Sequence, residues 1–261
     1  MANLEGKDYS LAELCITACA EAFRGDGEVL ASGMGLVPRL GAGLAKLTFS
    51  PDLLLNDAEC TLVSEPIPPG PRGDYQLKTE GWLPFRAVFD LLWGGRRHCM
   101  NMPTQLDRFG QQNISLIGDP DQPKVQLLGV RGIPGNSFNH PSSFFIPNHG
   151  KRTLVEKVDM VSGVGFDPER WKDGMNRGLM ELRRCVTNLA VLDWGGPDNQ
   201  MRIVSLHPGV SVEDVQEATS FPLAVIDGVA ETPGPDAEQL RLLRDVIDVN
   251  NLRASVFPEP A

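Results

Sequence analysis

The chain lacks clustered positive charge and long apolar runs. Its 24 lysine and arginine residues are scattered against 34 acidic residues, for a formal net charge of −10. Phosphate backbones are bound by clustered cations, so nucleic acid is not expected as a partner. No apolar run is long enough to cross a bilayer, and the N-terminal residues have no apolar signal core. These absences predict a soluble cytoplasmic protein without membrane contact.

The chain also has few cysteines, and none of them are in a recognisable pair. The five are Cys15, Cys19, Cys60, Cys99 and Cys185. An odd number without a CxxC motif indicates neither a disulfide framework nor a zinc site. The four histidines provide no motif that would activate a thiolate. We therefore expect no metal and no cysteine chemistry.

Strands and helices alternate along the 261 residues, of which 41% are hydrophobic. Two capping boxes mark helix starts, at Ser10-Leu-Ala-Glu13 and at Ser211-Val-Glu-Asp214. Further helices are predicted over Pro38–Leu47 and Pro84–Trp93. The alternation predicts an α/β protein with a largely parallel sheet and flanking helices. Without a linker or repeat, residues 1–261 are predicted to form a single domain.

Two strands end in glycine-rich loops. Val125–Leu128 indicates a buried strand and is followed by Gly129, Gly132 and Gly135. A strand over Glu28–Ser32 runs directly into Gly33-Met-Gly35. Glycines let the backbone approach a ligand closely, and ligands collect at the carboxyl ends of strands in α/β sheets. One such loop alone is as well explained by an ordinary turn, but two favour a ligand site.

Four segments in the same order resemble a known family, the β subunits of class I coenzyme A transferases, glutaconate CoA-transferase among them. They are Gly33-Met-Gly-Leu-Val-Pro-Arg-Leu-Gly-Ala-Gly-Leu-Ala-Lys46 with Ser50-Pro-Asp52, Asp107-Arg-Phe-Gly-Gln-Gln-Asn113, Gly129-Val-Arg-Gly-Ile-Pro-Gly-Asn136, and Pro208 to Phe221. The resemblance extends from about Leu11 to Leu252. It implies the class I CoA-transferase fold and a site for an acyl-CoA.

The chain departs from that family at its nucleophile. In the transferases, the strand after Ser-Pro-Asp ends in a glutamate that attacks the acyl-CoA thioester. The position aligned with it is Ala58, between Asp57 and Glu59. Neighbouring residues on a strand face opposite ways, so Glu59 replaces the missing group only if the strand bulges by one residue.

One branch of the family has this character, the steroid ring-cleaving hydrolases. Resemblance to their β subunits implies hydrolytic C–C (retro-Claisen) cleavage of a cyclic β-keto acyl-CoA in cholesterol and steroid catabolism. It also implies an α subunit that carries the general base, a glutamate, in an α2β2 heterotetramer. CoA is then part of the substrate, and no separate cofactor is expected.

Two segments of this chain supply candidates for binding the substrate. The candidates are Gly129, Gly132 and Gly135 as backbone donors, Asn136 as an amide donor, Arg131 as a partner for a substrate carboxylate, and Asn56, Asp57 and Glu59 around the position of the lost nucleophile. Each also has an ordinary structural explanation: Arg131 as a surface charge, Asn136 as a turn cap, and the last three as a polar strand end.

Two other functions are compatible with the same residues. The chain is a true CoA-transferase subunit if Glu59 forms a glutamyl-CoA intermediate. It is a catalytically silent scaffold if its partner performs all the chemistry.

Overall fold

A computed structural model describes residues 2–58 and 60–258, which fall into two compact units. The N-terminal unit comprises Leu4–Asn101 and the C-terminal segment from Pro233, and most of the second unit is Met102–Thr232. No helix in these ranges is both long and apolar enough to cross a membrane.

The N-terminal unit begins with alternating helices and strands. They are α1 Leu11–Glu21, β1 Leu30–Gly33, α2 Leu36–Leu47, β2 Leu55–Asn56, β3 Thr61–Val63, β4 Thr79–Trp82, α3 Phe85–Trp93 and β5 Arg97–Asn101. The predicted capping box starts α1: Ser10 Oγ accepts from the Glu13 amide, and the Glu13 carboxylate accepts from the Ser10 amide. Helix α2 begins two residues before the predicted Pro38. The expected α/β alternation is confirmed.

Strand β1 lies between two parallel neighbours. It pairs with β5 from Leu30 opposite Arg97 to Gly33 opposite Met100. On its other side, a parallel bridge joins Leu30 to Leu54, just before β2. Strands β2, β3 and β4 form a separate antiparallel sheet. The carboxyl ends of β1, β2 and β5 therefore point the same way, which is where α/β sheets bind ligands.

The second unit contains the remaining strands of the chain and two short helices. They are β6 Gln105–Leu106, β7 Gln112–Asn113, β8 Leu116–Asp119, β9 Gln122–Gln126, α4 Ile133–Asn139, β10 Ser142–Ile146, β11 Leu182–Thr187, β12 Ala190–Asp193, β13 Arg202–Leu206, α5 Val212–Glu217 and β14 Ala224–Glu231. Pairs β10–β11 and β13–β14 are parallel, and β12 is antiparallel to both neighbours. Phe144 and Trp194 pack edge to face in its core, with ring centroids 5.4 Å apart.

One strand prediction in this unit is wrong. The apolar run Val125–Leu128 is not a buried strand: β9 is exposed along its length and pairs with β8 in a two-stranded sheet. Two paired strands do not by themselves bury the side chains that they carry. Elsewhere in the unit, β11 and β12 form a hairpin, because Thr187 Oγ1 accepts the amides of Leu189 and Ala190 and closes a turn.

The Asp107–Asn113 motif is a structural turn. The Asp107 carboxylate accepts the amides of Phe109 and Gln111, and Asn113 Oδ1 accepts the Ser115 amide. Burial raises the pKa of Asp107 to about 6 in spite of these hydrogen bonds. The spacing of the motif thus serves to close the loop between β6 and β8.

The C-terminal segment packs on the first two helices of its own unit through α6 Ala237–Leu242 and a π-type turn that follows it. The carboxylate of Glu13, only 3% exposed, accepts from Arg244 Nε at 2.7 Å and Arg253 Nε at 3.0 Å. Burial alone would raise the pKa of Glu13, but hydrogen bonds from Arg244, the Ser10 amide and Arg253 outweigh it and lower the pKa to about 2. The same carboxylate therefore caps α1 and attaches the C-terminal segment.

We expect Glu13→Gln to destabilise the protein at neutral pH and to have a smaller effect in acid. A pKa lowered from 4.5 to about 2 corresponds to on the order of 3 kcal/mol of stability. Because the folded-state pKa is the lower one, this stability is present above pH 4.5 and is lost as the pH falls toward 2. This contribution is measured by urea unfolding of the wild type and Glu13→Gln over a pH series, with both proteins in the same state of assembly. Glu238→Gln, which breaks an exposed i,i+3 pair with Arg241, is the control. A difference between wild type and Glu13→Gln that is independent of pH would contradict the expectation.

Candidate active site

Residues of β1, β2 and α2, together with Arg97 at the start of β5, surround one cavity. Its volume is about 320 Å³. The apolar part of its lining includes Leu30, Leu40, Leu55, Val63, Ile67, Val88 and Ile247, and the polar part comprises Ser32, Arg39, Asn56 and Arg97. This size is at the lower end of small-ligand sites, so the cavity fits an acyl group rather than a whole coenzyme A.

Gly33 and Gly35 allow β1 to turn directly into α2 at the wall of the cavity. A Cβ at Gly33 would lie 2.4 Å from the backbone nitrogen of Arg39 and 2.4 Å from the carbonyl carbon of Pro38. Gly35, the N-cap of α2, has φ +107°, a conformation that side chains disfavour. The first turn of a helix leaves backbone amides without intrahelical partners. The close packing at Gly33 thus holds the amino end of α2 against the cavity.

Ala58, the residue aligned with the nucleophile in the sequence analysis, lies in this cavity. Ala58 and Asn56 both line it, and Ala58 has a left-handed φ of +69°. Asp57 lies in the turn after β2, where its Oδ1 accepts the Thr61 amide at 3.0 Å. Glu59 lies outside the described residues. Among the three polar residues predicted around this position, the structure therefore shows Asn56 in contact with the cavity.

Two arginines give the cavity a positive wall. Arg97, 8% exposed, donates from Nε to Ser32 Oγ at 2.8 Å. Arg39 donates to the Ile67 carbonyl at 3.2 Å, and burial together with the positive charge of Arg72 lowers its pKa. Guanidinium groups remain charged in proteins. In a protein with a net charge of −10, this wall favours a negative group on the ligand.

Within the described parts of the chain, no aspartate, glutamate, histidine or cysteine lines the cavity. The nearby Cys99 thiol donates to Asn101 Oδ1, and burial raises the pKa of this thiol. The described lining therefore offers hydrogen-bond donors and cations but no carboxylate, imidazole or thiol. Such a lining can bind an acyl group and stabilise negative charge.

Sequence reasoning missed Arg39, Arg97 and Asn101. Asn101 ends β5 and is 2% exposed, and its Nδ2 has no hydrogen-bond partner among the described residues. Buried amide donors are normally paired, so an unpaired one at the carboxyl end of a strand suggests a role toward a ligand. For Arg39, the position after the predicted loop Gly33-Met-Gly35 was the available signal.

The segment Gly129–Asn136 belongs to the second unit, and none of its residues lines this cavity. Gly132 has an ordinary φ of −87° and caps α4, whereas Gly129 and Arg131 have left-handed φ angles of +73° and +50°. Gly135 is inside α4. Asn136 is 4% exposed, with Oδ1 3.3 Å from His140 Nε2. Contacts of these residues with substrate remain predictions.

Comparison with curated proteins finds relatives over nearly the whole chain. The cholesterol ring-cleaving hydrolase IpdB subunit of Mycobacterium tuberculosis is 46% identical over 242 residues, which cover 93% of this chain and 96% of that protein. The protein of the same name from Rhodococcus jostii is 44% identical, covering 94% and 95%. A glutaconate CoA-transferase subunit of Acidaminococcus fermentans is 26% identical, covering 92% and 93%. No family model matches the chain.

Solved structures share the fold. The crystal structure of Rhodococcus jostii RHA1 IpdAB matches with a TM-score of 0.88 at 42% identity, covering 97% of this chain and 100% of the matched chain. The decarboxylase AibA/AibB matches with a TM-score of 0.78 at 20% identity, covering 95% and 99%, which concerns the fold alone.

Proposed function

Because this chain belongs to the IpdB-subunit family of cholesterol ring-cleaving hydrolases, a branch of the class I CoA-transferase β subunits, we propose that it is the β subunit of an αβ hydrolase that opens a steroid-derived ring. The substrate is a cyclic β-keto acyl-CoA. The partner is an α subunit of the same family, in an α2β2 heterotetramer in the cytoplasm. CoA enters as part of the substrate, and no separate cofactor is proposed.

The reaction is a hydrolytic retro-Claisen cleavage. A base takes a proton from water, and the oxygen adds to the ring ketone. The bond between that carbon and the α-carbon then breaks, and its electron pair becomes an enolate delocalised into the thioester. Protonation of the α-carbon completes a ring-opened acyl-CoA with a new carboxylate. Two oxyanions develop on the way, and each needs hydrogen-bond donors or positive charge.

The cavity around Ala58 is the observation that carries this proposal. An alanine where transferases have their nucleophile leaves no side chain to form an acyl intermediate, and the described lining contains no base. The amino end of α2 and the arginine wall offer positive potential to a developing oxyanion. This chain then binds and polarises the acyl group, and the α subunit supplies the base.

Hydrolysis in ¹⁸O-labelled water tests the reaction. We expect the complex of this chain with its α subunit to place one labelled oxygen in the new carboxylate and to retain the thioester. Borohydride should leave the activity intact, because no enzyme-bound thioester forms. Mass spectrometry of the product and residual activity after borohydride are the measurements.

The alternatives predict other results. A transferase acting through Glu59 would require an acceptor carboxylate and would be inactivated by borohydride in the presence of acyl-CoA. Its activity would be abolished by Glu59→Gln. A silent scaffold would tolerate substitution of the cavity lining: Arg97→Gln would leave turnover by the assembled complex unchanged. Either pattern would overturn the proposal.

A further inference from the structure

The Ser32 hydroxyl and the Arg97 guanidinium form a hydrogen-bonded pair in the wall of the cavity. Both residues line the cavity, and Arg97 Nε donates to Ser32 Oγ at 2.8 Å. Arg97 is buried, whereas Ser32 is partly exposed. The pair therefore joins a buried cation to a hydroxyl that faces the space where a ligand would lie.

The register of β1 and β5 explains how the two side chains meet. Arg97 pairs with Leu30, and Ser32 pairs with the residue two places beyond Arg97 toward the carboxyl ends of both strands. At about 3.3 Å per residue, the Arg97 side chain runs roughly 7 Å along the strand direction to reach Ser32. Its guanidinium is thereby carried toward the turn at Gly33, where the amino end of α2 meets the cavity.

The backbone around Ser32 is held on both sides. The Ala31 amide donates to the Leu54 carbonyl at 3.0 Å. The Met34 amide donates to the Met100 carbonyl at 2.9 Å. A side chain on a paired strand is held more precisely than one on a loop, and a group that must meet a transition state needs that precision.

The Ser32 hydroxyl accepts a hydrogen bond but donates to none of the described residues. A hydroxyl has one donor and two acceptor lone pairs, and the Arg97 N–H occupies one lone pair. Hydrogen bonds in a chain polarise one another, so a hydroxyl that accepts from a cation becomes a stronger donor. The Ser32 proton is therefore available to an acceptor on the ligand.

We propose that Ser32 is a catalytic residue whose hydroxyl, polarised by Arg97, donates a hydrogen bond to an oxyanion of the bound acyl group. The inference rests on the proposed function, in which two such oxyanions develop. As negative charge grows on the oxygen, this hydrogen bond becomes charge-assisted and shortens. The bond is then stronger in the transition state than in the substrate complex, which is the condition for raising kcat.

The test is a double-mutant cycle in the co-expressed αβ complex. Ser32→Ala should lower kcat about 10²-fold and change KM little, because it removes one oxyanion donor. Ser32→Thr keeps the hydroxyl and should retain most of the turnover. Arg97→Gln removes the polarising charge, and its combination with Ser32→Ala should cost less than the product of the two single effects. Initial rates over a range of substrate concentrations are the measurement.

Ser64→Ala is the matched control. Ser64 is exposed in the same unit, does not line the cavity, and donates to the Lys78 carbonyl at 3.3 Å. This variant should have the kcat, KM and melting temperature of the wild type. If Ser32→Ala melts at a lower temperature but turns over normally, the pair serves stability alone and the proposal is overturned. Additive effects in the cycle would overturn it as well.

A second readout separates this inference from the proposed function. Acetoacetyl-CoA is a β-keto acyl-CoA whose enolate absorbs in the ultraviolet and carries its negative charge on the two carbonyl oxygens. The wild-type complex should raise the enolate fraction of the bound compound, and Ser32→Ala should lower that fraction about 10-fold, the scale of a hydrogen bond to a charged group. Equal enolate fractions in the two proteins would overturn the proposal. A lower fraction in Ser32→Ala, in a complex that does not hydrolyse the β-keto acyl-CoA, would leave the donor standing and refute the proposed function.

Discussion

Gly33→Ala is expected to lower turnover by the assembled complex about 10²-fold and to destabilise this chain by about 1–3 kcal/mol. The added Cβ would lie 2.4 Å from backbone atoms of Pro38 and Arg39, and backbone cannot rotate away as a side chain can. Helix α2 must therefore move away from the end of β1. That movement displaces the part of the cavity wall formed by Arg39, Leu40 and Ala42, and misplacements near 1 Å have rate costs of this size. Initial rates and melting curves on the same preparation measure both effects.

Gly150→Ala is the matched control for Gly33→Ala. The φ of Gly150 is not in the left-handed region, and the nearest atom to an added Cβ is the Asn148 carbonyl oxygen at 3.9 Å. We expect wild-type turnover and stability from it. If Gly33→Ala melts at a lower temperature but turns over normally, the amino end of α2 has no part in the reaction.

The purified chain without its α subunit is expected to show no measurable hydrolysis of a β-keto acyl-CoA. Its described cavity lining has no group that can deprotonate water, and a positioned general base typically contributes about 10²–10⁴-fold to the rate. Adding the α subunit should restore turnover. The rate should rise with the concentration of the α subunit in parallel with the amount of complex formed. Steady-state rates during titration with the α subunit are the measurement.

Glu59 provides the check on this second expectation. Glu59→Gln in the complex should retain turnover if the base comes from the partner. Robust turnover by the single chain, abolished by Glu59→Gln, would place the base in this subunit and would remove the need for the partner in the chemistry.

Local signals in the sequence were sufficient for many elements of the fold. The capping boxes at Ser10 and Ser211 predicted the starts of α1 and α5, because hydrogen bonds between residues three apart are independent of the rest of the fold. The apolar run Val125–Leu128 was misread for the opposite reason. Whether such a run is buried depends on what packs over it, and β9 is exposed along its length.

The sequence by itself determined the α/β class, the family and the alanine at the position aligned with the transferase nucleophile, because each of these is a property of residue types in a given order. Only the tertiary structure decided that Ala58, Arg39 and Arg97 share one cavity, that Gly33 is required by its contact with Pro38 and Arg39, and that Ser32 accepts a hydrogen bond from Arg97. Arg39 and Arg97, for example, are 58 positions apart in sequence, and packing brings them together. A linear pattern carries no information on which faces meet or which remain open.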